Sequence, residues 1–188
     1  MIASAAIGQD HRRHAVNDEL RIGVISDTHF PSRGQVLPAA CVERLMRCDL
    51  VVHAGDFCDR AAVGRVRALG RPLVAVSGNV DDATVRALLA ETAEIALPDG
   101  RVLAVVHDAG PKTDRCARMR RRFPTAAIVV FGHSHIPLIE RDDTGVLILN
   151  PGSPTDRRRQ PHHTMAEIVL RPGQAPDASI VVLAPERG

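Results

Sequence analysis

Short apolar runs rich in valine and isoleucine recur at residues 20–26, 50–54, 73–77, 102–106 and 126–131, bounded by Gly, Asp or Pro. Runs of this length and composition predict buried strands and not long helices. Helix-length segments lie between several of them, at 38–47, 60–69, 83–89 and 113–122. That alternation predicts an α/β fold. Asp99-Gly100 stands between an apolar stretch at 93–97 and the strand starting near 102, with the turn chemistry of a tight hairpin because glycine accepts positive φ, so a mixed sheet is expected. Beyond position 135 the pattern changes to short runs at 137–141, 146–149, 165–170 and 179–183 without a convincing helix, which predicts a second, mostly antiparallel sheet packed on the first. No repeat and no linker divides the chain, so residues 20–188 read as one domain behind a tail at 1–19.

Composition narrows the partners. The 188 residues are 45% hydrophobic and 24% charged, with 24 basic against 22 acidic side chains for a net charge of +2. That surplus is too small to suggest a nucleic-acid or anionic-membrane binder, and no apolar run approaches the roughly 18 residues of a membrane span. With no Trp or Tyr and four Phe, an aromatic base-stacking surface is not expected. Cys41, Cys48, Cys58 and Cys116 form no Cys-x-x-Cys pair, which reads as reduced thiols in a cytoplasmic protein. The apolar stretch 2–7 precedes the charges instead of following them, unlike a signal peptide.

The nine histidines carry the chemistry. Each predicted strand is followed at once by polar, metal-capable residues: Asp27-Thr28-His29, Gly55-Asp56, Gly78-Asn79, His107-Asp108 and Gly132-His133-Ser134-His135. Taken singly, each is a common turn or a satisfied histidine. Together they fall where open α/β sheets bind ligands, at the carboxyl ends of the strands. Imidazoles mixed with carboxylates and an amide, without thiolates, are too many for one tetrahedral zinc and suit two ions chosen from Mn, Fe, Ni, Co and Zn. A shared carboxylate could hold such ions about 3.5–4 Å apart.

These motifs, in this order, resemble the calcineurin-like metallophosphoesterases: Asp27-Thr28-His29, Gly55-Asp56-Phe57-Cys58-Asp59-Arg60, Gly78-Asn79-Val80-Asp81, His107 and Gly132-His133-Ser134-His135. The match runs from residue 22 to about 155, and Asn150-Pro151-Gly152-Ser153 with the short chain is most similar to the small YfcE-type phosphodiesterase branch, which is related to a retromer scaffold subunit. The resemblance implies a four-layer α-β-β-α sandwich with two mixed sheets and two divalent ions, with Mn the first choice. It assigns Asp27, His29 and His135 to one ion and Asn79, His107 and His133 to the other, with Asp56 bridging. It gives Asp56, Asn79 and His133 the catalytic roles, a bridging hydroxide attacking phosphorus in line. Asp59, Arg60, Asp81 and Asn150 would support the ligands from behind, although Asp59 reads almost as well as a helix N-cap. Asn79, Arg157 and Arg158 are candidates for binding a small phosphate ester, Arg159 lies beside them, and for the arginines a solvated loop is an equal reading. A homodimer is compatible with the size and the family.

Two departures bear on the activity. Val80 stands where much of the superfamily has a histidine and cannot donate a proton to a leaving group, help that is worth roughly 10²- to 10⁴-fold. Asp108 follows His107 where a glycine is usual. The expected activity is therefore a phosphodiesterase acting on good leaving groups. The alternatives are a metal-binding scaffold, or a phosphomonoesterase or nucleotide pyrophosphatase on the same core. Arg118, Arg120, Arg121 and Arg122 are read as cations favoured at a helix C-terminus.

Overall fold

The computed structural model describes residues 19–184. Strands and helices follow in the order β1 (Leu20–Ile25), α1 (Ala39–Leu45), β2 (Leu50–His53), α2 (Arg60–Arg67), β3 (Leu73–Ala75), α3 (Ala83–Leu88), β4 (Thr92–Ala96), β5 (Val102–Val106), α4 (Arg115–Arg122), β6 (Ile128–Val130), β7 (Leu138–Arg141), β8 (Leu147–Asn150), β9 (His163–Leu170) and β10 (Asp177–Leu183). They build two five-stranded sheets, ordered β10-β9-β1-β2-β3 and β4-β5-β6-β8-β7. Both are mixed. Each has three parallel neighbours, β1, β2 and β3 in one and β5, β6 and β8 in the other, with antiparallel strands outside them.

Alternation along the strands sorts side chains into three apolar layers. Ile22, Val24, Val52, Leu103, Val105, Ile128, Val130 and Leu149 meet between the sheets. Val51, Met165 and Val181 pack outward on Cys41, Leu45, Val63, Val66 and Val85 of α1, α2 and α3. Ala104, Val129 and Ile148 pack outward on Met119 and Phe123 at α4. The result is the expected α-β-β-α sandwich. Apolar burial on both faces explains why the inner strands read as unbroken apolar runs.

Residues 1–18 lie outside the described residues, so only Glu19 of the expected tail is seen. The hairpin at Asp99-Gly100 joins β4 to β5, with the Leu97 N–H donating to the Arg101 carbonyl at 2.8 Å and Gly100 at φ +83°. The expected division of the sheets at residue 135 is incorrect. The second sheet already begins with β4, and β9 and β10 return to the first sheet, where β9 pairs antiparallel with β1 from Leu20↔Leu170 to Val24↔Ala166. The reason is the buried character of β1: with β2 on one side only, an apolar strand would be left as a bare edge, and β9 covers it.

Candidate metal centre

Six strands end on one side of the sandwich, and the polar residues that follow them converge there. Asp27 and His29 come after β1, Asp56 after β2, Asn79 after β3, His107 after β5, and His133 and His135 after β6; Asn150 ends β8. To turn so sharply the loops use strained backbone. Among the described residues eight non-glycine residues have positive φ, and six of them, Asp27, His29, Asp56, Cys58, His133 and His135, belong to these loops. Such conformations cost of order 1–3 kcal/mol each and gather at functional sites. Two glycines allow the loops to close together. A Cβ on Gly78 would sit 2.1 Å from Asp56 Oδ1, and one on Gly132 would sit 2.0 Å from Ser26 Oγ and 2.7 Å from Asp27 Oδ2.

The side chains form two clusters. In the first, His29 Nε2 and His135 Nε2 are 3.2 Å apart, and Asp27 Oδ1 is 3.4 Å from His135 Nε2 and 3.9 Å from His29 Nε2. In the second, Asn79 Oδ1 lies 2.9 Å from His107 Nε2 and 2.8 Å from His133 Nδ1. Asp56 stands between them, its Oδ2 3.3 Å from His107 Nε2 and 3.7 Å from His29 Nε2. That oxygen is buried and makes no aligned hydrogen bond.

The donor chemistry fits cations. His107 Nδ1 donates to the Ala54 carbonyl at 2.8 Å, and His135 Nδ1 donates to the Asp156 carbonyl, so each neutral ring turns an Nε2 lone pair inward. These lone pairs meet oxygens that are also acceptors, an arrangement that only a positive charge reconciles. Burial pushes the Asp27 carboxyl up to about 7. Burial would also raise Asp56, but the close approach and charge of His107 outweigh it and leave the carboxyl lowered. The reverse holds for His107: burial acts to lower it, yet Asp56 and Asp27 hold it raised. Burial lowers His29, and lowers His135 to about 4.

Surrounding residues fix the loops. Asp81 is buried and accepts from the N–H groups of Asp56 at 3.2 Å, Cys58 at 2.7 Å and Gly78 at 2.7 Å, tying two ligand loops together. Asn150 donates to the Gly132 carbonyl at 2.7 Å and the Ser134 hydroxyl at 3.1 Å. Asp59 instead caps α2, accepting from the Ala62 N–H at 2.7 Å, and Arg60 is exposed in that helix's first turn. Arg158 donates to the His133 carbonyl at 3.4 Å, whereas Arg157 folds back on the Gln160 carbonyl at 2.6 Å. Arg159 is exposed, and Asp108 accepts from the Gly110 N–H at 2.7 Å as a turn residue.

Several positioning residues were given no role by the sequence. His53 is fully buried, stacked on Phe57 with ring centroids 3.5 Å apart. Its Nδ1 accepts from the Gly55 N–H at 3.2 Å, so its Nε2 donates to Thr28 Oγ1 at 3.1 Å, joining the Asp27 loop to the Asp56 loop. Ser153 Oγ donates to the Asp27 carbonyl at 2.8 Å and Thr155 Oγ1 to the Thr28 carbonyl at 2.7 Å. The available signal was a histidine ending an apolar strand; nothing marked Thr155 or Asp156.

The cavities differ in kind. One of about 630 Å³ lies at the opposite end of the sheets, between Leu20, Pro98 and Leu170. Another, of about 290 Å³, is walled in part by Asn79 and His107. The four cysteines are free thiols, and among the described residues no helix is long and apolar enough to cross a membrane.

Comparison with known proteins places this arrangement. The family model for the calcineurin-like phosphoesterase superfamily domain matches residues 20–171. A probable metallophosphoesterase of Methanocaldococcus jannaschii is 35% identical over 138 residues, covering 71% of this chain and 68% of its own. Among solved structures, vacuolar protein sorting 29 of Cryptosporidium parvum has a TM-score of 0.71 at 16% identity, covering 90% of this chain and all of its own (100%). A structure described as a novel archaeal phosphodiesterase has a TM-score of 0.66 at 20% identity, covering 87% of this chain and 100% of its own. The family model spans every strand but β10 and every loop of the two side-chain clusters, and so the chain belongs to the calcineurin-like phosphoesterase superfamily.

Proposed function

We propose that the chain is a phosphodiesterase with a dinuclear divalent-metal centre, Mn²⁺ being the first choice of ion. The observation that carries this reading is Asp56 Oδ2, buried without an aligned partner between two groups of inward-facing nitrogens and oxygens. Asp27, His29 and His135 would hold one ion, Asn79, His107 and His133 the other, and Asp56 would bridge. When bound, the ions supply an activated water and neutralise charge on the phosphoryl oxygens.

The chain's own residues set the geometry of the reaction. The Ala54 and Asp156 carbonyls fix the His107 and His135 rings, so their Nε2 atoms need no reorganisation to bind cations. Asp56 Oδ1 accepts from the Val80 N–H at 3.0 Å, which leaves Oδ2 directed at the two clusters. Val80 is 43% exposed beside Asn79 and offers no proton to a leaving group. That favours diesters whose leaving groups depart as stable anions. The likeness in fold to an archaeal phosphodiesterase supports the same reading.

A second reading is a protein scaffold. Val80 and Ile136, exposed at 43% and 51%, directly follow Asn79 and His135 and set apolar side chains beside the site that a protein partner could cover. Vacuolar protein sorting 29 shares the fold. Hydrolysis of bis(p-nitrophenyl) phosphate separates the two: the enzyme reading expects turnover that Mn²⁺ stimulates and a chelator abolishes. Background rates across Mn²⁺, Ni²⁺, Co²⁺ and Zn²⁺ would sink it.

A further inference from the structure

The 290 Å³ cavity that shares Asn79 and His107 with the metal centre is also lined by Arg86, Glu91, Asp108 and Arg122. Its two arginines come from the last turns of α3 and α4, helices that cover different sheets. Two other arginines of α4 are engaged elsewhere: Arg118 holds the carbonyls of Ala109 at 2.9 Å and Thr113 at 3.1 Å, and Arg120 pairs with Asp142 at 3.3 Å. Arg86 uses Nη2 on the Asn79 carbonyl at 2.8 Å, and Arg122 lies 5.4 Å from the centre of the Phe123 ring. Among the described residues neither guanidinium forms an ion pair, although Glu91 and Asp108 border the same cavity. The Arg122 fork, together with the Arg86 donors not spent on the Asn79 carbonyl, matches the oxygens of a phosphate beside the proposed metal centre.

We infer that this cavity receives a second phosphate group carried by the same ester, held by Arg86 and Arg122, while Glu91 and Asp108 face hydroxyl groups of the part that links the two phosphates. The inference rests on the phosphoesterase reading for the first phosphate. It names the substrate class as a phosphodiester with an additional phosphate on its non-scissile half, and it moves substrate selection from the 157–159 loop to the side where α3 and α4 end.

Thymidine 5′-phosphate and thymidine 3′,5′-bisphosphate differ by one such group and can be compared by calorimetry on the full chain with Mn²⁺. The bisphosphate is expected to bind with a Kd about tenfold lower. Arg122→Ala should remove most of that gap while leaving the Kd of the monophosphate and the turnover of bis(p-nitrophenyl) phosphate within about twofold. Equal Kd values in the wild type, or a gap that survives in the Arg86→Ala/Arg122→Ala double variant, would overturn the inference. Turnover without a gap refutes the second-phosphate cavity alone. A gap without turnover of the aryl diester refutes the catalytic reading and leaves the cavity as a binding site.

Discussion

The backbone N–H of His133 donates to both carboxylate oxygens of Asp27, at 3.1 and 3.0 Å, across 106 positions of sequence. The contact joins the loop after β6 to the loop after β1, so the two sheets meet at the candidate metal centre through a backbone donor. Asp27 is thereby fixed in orientation, and only Oδ1 approaches His29 and His135. Substitutions in these loops should act on geometry before they act on charge.

Asp56→Asn keeps the shape but replaces one carboxylate oxygen with an amide donor. We expect hydrolysis of bis(p-nitrophenyl) phosphate to fall by more than about 100-fold, with thermal unfolding of the metal-free protein little changed. Wild-type rates in this variant would exclude the bridging role.

Gly132→Ala should fail for a steric reason, since the added methyl meets Ser26 Oγ at 2.0 Å and Asp27 Oδ2 at 2.7 Å. The expected loss of stability is about 1–3 kcal/mol, read from urea midpoints, together with weaker metal binding. Gly64→Ala, where nothing lies within 4 Å of the added atom, is the control and should be neutral or stabilising.

Removal of metal should lower the melting temperature. A ligand present at about 100 times its Kd stabilises by about 2.7 kcal/mol, which corresponds to roughly 5–10 °C for a domain of this size. Metal analysis of the loaded protein should give about two ions per chain, and calorimetric scans with Mn²⁺ and with a chelator check the shift. Identical melting curves would count against a structural share for the ions.

Acid should destabilise the protein through His53. Burial lowers its pKa to about 3 in the folded chain, against an ordinary value of 6.5. The unfolded chain therefore binds the extra proton between these values: stability from this group is intact above pH 6.5 and falls as pH drops through it. Between pH 6.5 and 5.0 the loss is about 2 kcal/mol. His53→Gln should flatten the dependence of the urea midpoint on pH by that amount, and an unchanged slope would mean that His53 is not neutral in the fold.

The sequence revealed most of the strands because β1, β2, β5, β6 and β8 are apolar on both faces, and it marked the candidate ligand residues because each follows shortly after one of these strands or, for Asn79, after β3. It did not reveal which sheet β9 and β10 join, since pairing with β1 is a choice among exposed edges that no local pattern encodes. His53, Thr155 and Asp156 act through hydrogen bonds to residues far along the chain, so their roles follow from the closed sandwich. Asp59 shows the converse: its position in a familiar motif suggested support of a ligand, while its local place before α2 makes it a cap.

The pairing of β1 with β9 bears on how the protein is made. Residues 20–25 leave the ribosome early, but the antiparallel neighbour that covers their free side is written at 163–170. Until those residues are synthesised the growing chain presents a sticky apolar edge, and the most sequence-distant strand pairing is also the one that seals the first sheet. Nascent chains ending before residue 163 should need holding by a chaperone, and their release should coincide with synthesis of β9 and β10.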